Sequence, residues 1–267
     1  MKRAIALLLL ISLSFTLLAC NQKQDKPQTT EKPSVRITFP EGYTILQIAK
    51  LLESKGVCSS TDFLELTKKA PQNFALASEI KSPENRIFLL EGYIYPDTYD
   101  FYVGEGAQNA LLRFLKNTSA KITQEDKARA TELGYTIDEI ITLASIIQSE
   151  AGNPAEMKKV SSVFHNRLNS SYKKLESDVT ILYIKDKLST VITDEAQRSA
   201  YYKLYSTYEI AGLPVGAICN PGRAAINAAL YPDQTDYMFF VTDKNNGSYY
   251  YASTFAQHKK NCKIAGW

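Results

Sequence analysis

The sequence predicts an α+β protein, with a small strand–helix module followed by a larger mixed α+β domain. Three observations carry that reading. Apolar residues recur at helical spacing behind capping signals in several stretches. Short alternating apolar runs of strand type stand near both ends of the chain. No repeat of solenoid type is visible, and 267 residues with 45% hydrophobic side chains suffice for one large or two small packed units.

The first residues stand outside that core. Lys2-Arg3 gives a positive start, Ala4 to Leu18 is nearly all apolar, and Leu17-Leu18-Ala19-Cys20 closes the run. A basic start, a short apolar stretch and small residues before a cut describe a secretory signal over residues 1–19, too short for a spanning helix. Leu-Leu-Ala-Cys in that place resembles a bacterial lipobox, with Cys20 as the lipidated first residue of the mature protein; an ordinary signal peptide or an uncleaved anchor is the alternative. Residues 20–33 offer no large apolar side chain and read as a flexible tether holding the folded part off the membrane. The resulting location is extracytoplasmic, on the bacterial cell membrane. Cleavage removes only Lys2 and Arg3 among the charges, so the mature chain is near neutral and nothing calls for nucleic acid as a partner.

Residues 34–85 read as the small module. Val35-Arg36-Ile37-Thr38-Phe39 alternates as a strand and Pro40-Glu41-Gly42 breaks it. Thr44 with Gln47 forms a capping box ahead of Ile45, Ile48, Ala49, Leu51 and Leu52. A second helix follows Ser59 or Ser60. In the larger domain, 86–267, helices are expected over 107–115 and 124–133. Thr136 and Glu139 open another helix, which should stop at Glu150-Ala151-Gly152 with Gly152 as its left-handed end. Asn153-Pro154 should start the next, as cap and first-turn proline, with Met157, Val160, Val163, Phe164 and Leu168 as its stripe. Tyr237 to Val241 and Ser248 to Ala252 read as strands around an Asn245-Asn246-Gly247 turn.

The chemistry is narrowed by what is missing. There is no Gly-x-Ser-x-Gly elbow, no phosphate-binding loop and no His-Glu-x-x-His. Beyond Cys20 the cysteines are Cys58, Cys219 and Cys262, without metal or redox spacing; one Cys219–Cys262 disulfide or three unpaired thiols both fit. Only His165 and His258 could act as a His base, and neither lies in a Ser or Cys motif. No metal and no cofactor is indicated, which leaves carboxylates and tyrosines as acid–base groups. Glu150 ends an apolar helix, where the negative end of the macrodipole and burial beside Ile146 and Ile147 both raise a carboxyl pKa. That is what a general acid near neutral pH requires. A solvated Glu that merely frays the helix end is the plain alternative.

Other polar clusters are dense. Leu90-Glu91-Gly92-Tyr93-Ile94-Tyr95-Pro96-Asp97-Thr98-Tyr99, Glu176-Ser177-Asp178-Val179-Thr180, and Tyr205-Ser206-Thr207-Tyr208 with Asn220-Pro221-Gly222 place aromatic faces beside carboxyl, hydroxyl and amide groups. Each alone suits a turn; together they suit a groove for a sugar. These clusters, with Leu143 to Glu150 and Val163-Phe164-His165-Asn166-Arg167-Leu168, resemble the YceG-like family in order across about residues 86–260. The resemblance implies a peptidoglycan lytic transglycosylase, with Glu150 catalytic and Glu91, Tyr95, Asp97, Asp178, Thr180, Tyr208 and Asn220 as substrate contacts. Glycan strands are the implied substrate, cell-wall synthases are candidate partners, and the cut bond joins N-acetylmuramic acid to N-acetylglucosamine. The chain departs from the family pattern at Val179, at Ser206 where relatives place Asn, and at Tyr249 where they place His. A hydrolytic muramidase using Asp178 or Glu176 as second carboxylate, and a non-catalytic murein-binding lipoprotein, are the competing readings.

Overall fold

The computed structural model describes residues 33–267; the expected signal segment, Cys20 and all but the last residue of the tether lie outside the described residues. The alternation at residues 34–38 forms β1 (Ser34–Thr38), but its partner is distant in sequence. It pairs antiparallel with β2 (Thr98–Tyr102), Ser34 opposite Tyr102 and Thr38 opposite Thr98. On the outer face the Arg36 guanidinium donates to Asp100 at 2.8 Å, and the Thr38 and Thr98 hydroxyls meet at 2.8 Å. The inner side packs on a cluster of Phe39, Tyr99, Phe101 and Phe114, whose ring centroids lie 4.6–6.1 Å apart. Residues 34–85 are therefore not a separate module: residues 34–267 form one compact unit, and the boundary expected near 85 is crossed by a strand pair and a shared core.

Between these strands lie α1 (Ile45–Ser54) and α2 (Ser60–Thr67). Thr44 and Gln47 make the expected capping box, and Ser59 caps α2. After β2 come α3 (Ala107–Lys121), α4 (Gln124–Glu132), α5 (Ile137–Glu150) and α6 (Met157–Asn169). Capping boxes start α4 at Thr123 and α5 at Thr136. Ile137, Asp138 and every residue from Ile140 to Ile147 are buried, so α5 is the central helix, lying against α6 and against the later helical segment Arg223–Leu230. Two local expectations fail around its end. Gly152 does not take the left-handed conformation; Ala151 leaves the helix extended, at φ −98° and ψ 96°. Asn153-Pro154 does not start α6 either. The Asn153 side chain accepts the Ala155 N–H at 3.0 Å and closes a turn, and α6 starts at Met157 after Glu156.

The rest of the chain returns in short pieces. α7 (Asp178–Leu182) runs into a wide π-type turn at 183–187, then come α8 (Glu195–Tyr205) and α9 (Arg223–Leu230). β3 (Phe239–Thr242) and β4 (Tyr249–Ala252) form the expected hairpin, and α10 (Phe255–Ile264) packs on it. None of the described cysteines is bridged. Cys219 is buried, with its thiol against the Ser145 carbonyl, and burial pushes its pKa up to about 12; Cys262 lies 3.6 Å from His258 Nε2. Among the described residues, no helix is long and apolar enough to cross a membrane.

Candidate active site

Glu150 is the last residue of α5, and the oily run before it sets its place. Because the preceding residues are fixed in the core, the helix delivers its terminal carboxyl to the wall of a cleft of about 440 Å³. The walls come from α6 (Phe164, Arg167), the 175–178 segment, Tyr208, all four residues of β3, and α10 with Trp267 beyond it. Burial raises the Glu150 pKa, and the nearby charge of Asp178 adds to it. A hydrogen bond from Ser177 Oγ to Oε1, at 2.5 Å, opposes the shift and orients the group. The carboxyl thus holds its proton further toward neutrality than an ordinary Glu, and it does so at the wall of an open cleft.

The segment facing Glu150 is fixed by an arginine. Arg167 is buried and donates from Nε to the Met238 carbonyl at 2.6 Å and from Nη1 to the Leu175 carbonyl at 2.8 Å. It also reaches the Glu176 carboxylate at 3.3 Å, which accepts from the Tyr172 hydroxyl as well. Glu176 has φ +49°, a left-handed position that a side chain adopts only when its surroundings hold it there. Its N–H donates to the Thr207 carbonyl at 3.1 Å, and the next N–H, of Ser177, donates to Thr207 Oγ1 at 2.9 Å. On the far side Tyr249 clamps the helix end: its hydroxyl donates to the Glu150 carbonyl and accepts the Gly152 N–H, both at 3.1 Å.

Of the residues expected at the site, Glu150, Asp178 and Tyr208 line one cleft, and the Tyr208 hydroxyl donates to Asp178 Oδ1 at 2.8 Å. Thr180 sits behind that wall, fully buried, donating to the Ser177 carbonyl at 2.9 Å. The other four are elsewhere, and the side-chain polar groups of Glu91, Asp97 and Asn220 are held by other residues. Glu91 is buried; its Oε1 accepts from the Ile45 N–H at 3.0 Å and the Asn220 amide at 2.9 Å, and its Oε2 faces the Tyr183 hydroxyl at 3.2 Å. Asn220 Oδ1 accepts the N–H groups of Gly92 and Ile94 at 3.0 and 2.8 Å. Tyr95 is buried beneath Lys121, and Asp97 accepts from Asn117, Lys121 and the Thr98 N–H. This cluster closes the fold around Tyr43, Glu91 and Asn220 and does not line the cleft. Of the two histidines, His165 is buried against the Ala229 carbonyl at 2.9 Å, whereas His258 lines the cleft stacked on Phe239. Sequence reasoning missed Ser177 as the partner of Glu150, although it sits beside Asp178 in a cluster already singled out. It also missed the β3–α10 wall.

Against known proteins, residues 17–264 match the model of the YceG-like family. Similar curated proteins are the endolytic murein transglycosylase of Bacillus subtilis (strain 168), 30% identical over 84% of this chain and 63% of that protein, and that of Streptococcus pneumoniae serotype 2, 28% identical over 89% of this chain and 45% of that protein. The chain therefore spans less than two thirds of the length of these relatives. A crystal structure of a yceG-like protein from Listeria monocytogenes superposes with a TM-score of 0.69 at 29% identity, covering 85% of this chain and 75% of that one.

Proposed function

The chain belongs to the YceG-like family, and from that membership and the Glu150 cleft we propose that it is an endolytic lytic transglycosylase. Its substrate is peptidoglycan, cut at the β-1,4 bond between N-acetylmuramic acid and N-acetylglucosamine, leaving 1,6-anhydromuramoyl ends. The family membership and the names of the curated relatives support the reaction class. The single observation that carries the chemistry is a buried carboxyl, with a raised pKa and one hydroxyl partner, on the wall of an open cleft.

In this mechanism protonated Glu150 gives its proton to the glycosidic oxygen as the C1–O bond breaks. Positive charge develops at C1 and the ring oxygen. The Glu150 carboxylate then takes the proton of the C6 hydroxyl, whose oxygen bonds to C1 and closes the anhydro ring. One carboxyl returns to its starting state, and no water is consumed. The intramolecular hydroxyl needs no second carboxylate to activate it, since its effective concentration is already high. Glu176, held by Arg167 and Tyr172, is committed to the wall.

Asp178 favours one competing reading. It lines the cleft and bears electrostatically on Glu150, as the second carboxylate of a hydrolytic muramidase would. Digestion of purified glycan strands, with products read by mass, separates the two, because hydrolysis leaves ends one water heavier. Glu150→Gln should keep the fold and strand binding and yield no anhydro product. Undiminished cleavage by that variant would sink the assignment. We further propose that Cys20 carries a lipid anchor at the outer face of the cell membrane, beside cell-wall synthases. Metabolic labelling with a fatty acid, lost in Cys20→Ala, tests the anchor.

A further inference from the structure

The wall of the cleft formed by β3 and α10 carries two large aromatic rings that folding leaves uncovered. Phe255, on the first turn of α10, is 59% exposed, and Trp267, just beyond its last turn, is 66% exposed; both line the cleft that holds Glu150. Each is nevertheless held in place. The Trp267 indole N–H donates to the Thr242 carbonyl at 2.9 Å, its backbone N–H donates to the Cys262 carbonyl at 2.9 Å, and the Lys244 ammonium sits 3.7 Å from the ring centre. Phe255 lies 5.8 Å from Phe239 and 6.2 Å from His258. β3 thus runs from one ring to the other, Phe239 beside Phe255 and Thr242 beside Trp267. Three strand rises separate its ends by about 10 Å, and α10 spans about 15 Å, so one sugar ring does not cover both platforms.

Between the rings the wall presents the His258 and Cys262 side chains of α10 and the backbone of β3. Among the described residues the sheet has two strands, so the far edge of β3 has no partner strand there. The Asp243 N–H donates to the Ser248 carbonyl, which fixes the alternation: Val241 and Phe239 bond toward β4, while Phe240 and Thr242 turn their N–H and C=O groups away from it. The Thr242 carbonyl is taken by Trp267, which leaves the N–H and C=O of Phe240 and the N–H of Thr242 on the edge. A secondary amide, with one donor and one acceptor, matches Phe240. An acetamido sugar offers that amide together with an apolar ring face that stacks on an aromatic surface.

We propose that the β3–α10 wall is a glycan track, with Phe255 and Trp267 as stacking platforms at two separated sugars and the Phe240 backbone reading an acetamido group between them. The proposal rests on the murein reading of the cleft and is tested apart from it. Trp267 is the sole tryptophan of the chain, so its emission reports this wall directly. Peptide-free, N-acetylated glycan strands are titrated into Glu150→Gln, with fluorescence and calorimetry read in parallel. The emission should move to shorter wavelength and saturate with the heat, and de-N-acetylated strands should bind more weakly. In the active chain Trp267→Ala should raise KM about tenfold with kcat within about twofold, Trp267→Phe should recover most of that loss, and Phe255→Ala should act in the same sense. All three should unfold at the wild-type temperature. Calorimetric binding with unchanged emission, or an unchanged KM in Trp267→Ala, overturns the platforms while anhydro products from the wild type leave the reaction standing. Equal binding of de-N-acetylated strands overturns the amide reading. Strand binding with a Trp267 shift but no cleavage by the wild type upholds the track and rejects the reaction.

Discussion

Glu91→Gln should remove a loss of stability that the buried Glu91 carboxyl is expected to impose as pH rises. Burial pushes the Glu91 carboxyl up to about 8, against three hydrogen bonds that pull it down. The geometry accommodates the proton. Oε1 keeps the Ile45 and Asn220 N–H groups, while Oε2 faces only the Tyr183 hydroxyl, which can turn from donor to acceptor. An acid whose folded pKa is raised holds a proton that the unfolded chain has already released. Its contribution is therefore neutral below the unfolded value of about 4.3, falls by about 1.4 kcal/mol per pH unit above it, and flattens beyond the folded value, a total of about 5 kcal/mol. Glutamine cannot ionise, and its extra N–H finds no partner, at a pH-independent cost of about 1–3 kcal/mol. Urea denaturation at half-unit steps from pH 4.5 to 8.5 should show the two stability curves crossing near pH ~6. The variant should be weaker on the acid side and stronger by about 2 kcal/mol at pH 8. Parallel curves with a constant offset would refute the reasoning, because they would mean that Glu91 ionises in the fold as it does in the unfolded chain.

Ser177→Ala removes the hydrogen bond that lowers the Glu150 pKa, so the alkaline limb of the pH–rate profile should move upward while kcat falls about tenfold from lost orientation; an unmoved limb would mean that the bond does not govern the carboxyl. Asp138 accepts both arms of the Arg86 guanidinium, at 3.0 and 2.5 Å, and the Tyr93 hydroxyl at 2.7 Å, with the side chains of Arg86 and Asp138 only 2% and 3% exposed. Asp138→Asn should therefore cost about 3–5 kcal/mol in chemical denaturation, and a loss under about 1 would show that the pair contributes little. Gly92 has φ +92°, and an added Cβ would lie 2.6 Å from Ala217 Cβ and 2.8 Å from Ile141 Cγ2. Gly92→Ala should lose about 3 kcal/mol and several degrees in thermal unfolding; a wild-type melting temperature would show that the backbone adjusts freely there.

What the sequence made legible was local. Thr44 with Gln47 and Thr136 with Glu139 announce their helices because each box closes within four residues. The hairpin around 245–247 is equally local, and the end of α5 at Glu150 follows from where its apolar run stops. Pairing across the chain was not legible: nothing in Val35-Arg36-Ile37 says that its partner is Tyr99-Asp100-Phe101, and so the first strand read as part of a separate module. The place of the 90–99 segment, apart from the Glu150 cleft, was hidden for a related reason. Carboxyl, amide and hydroxyl groups in one stretch look like a binding groove, but Glu91 meets Asn220 from 129 positions away, and the internal partners that satisfy it are visible only once the chain is folded. α10 was missed because Phe-Ala-Gln-His-Lys-Lys-Asn-Cys-Lys-Ile has no apolar stripe, and the folded helix buries none of its residues.

The clamp at Tyr249 ties together things that a hinge would need to keep apart. A single phenol oxygen grips the terminal turn of the central helix from both sides of Ala151, and that phenol belongs to the same hairpin whose other strand lines the cleft. Tilting the hairpin outward thus pulls directly on the peptide carrying the acid, so the gap at that point cannot widen unless both bonds break. Opening and misalignment become one event, and the Glu150 carboxyl is in register only while the jaw is set.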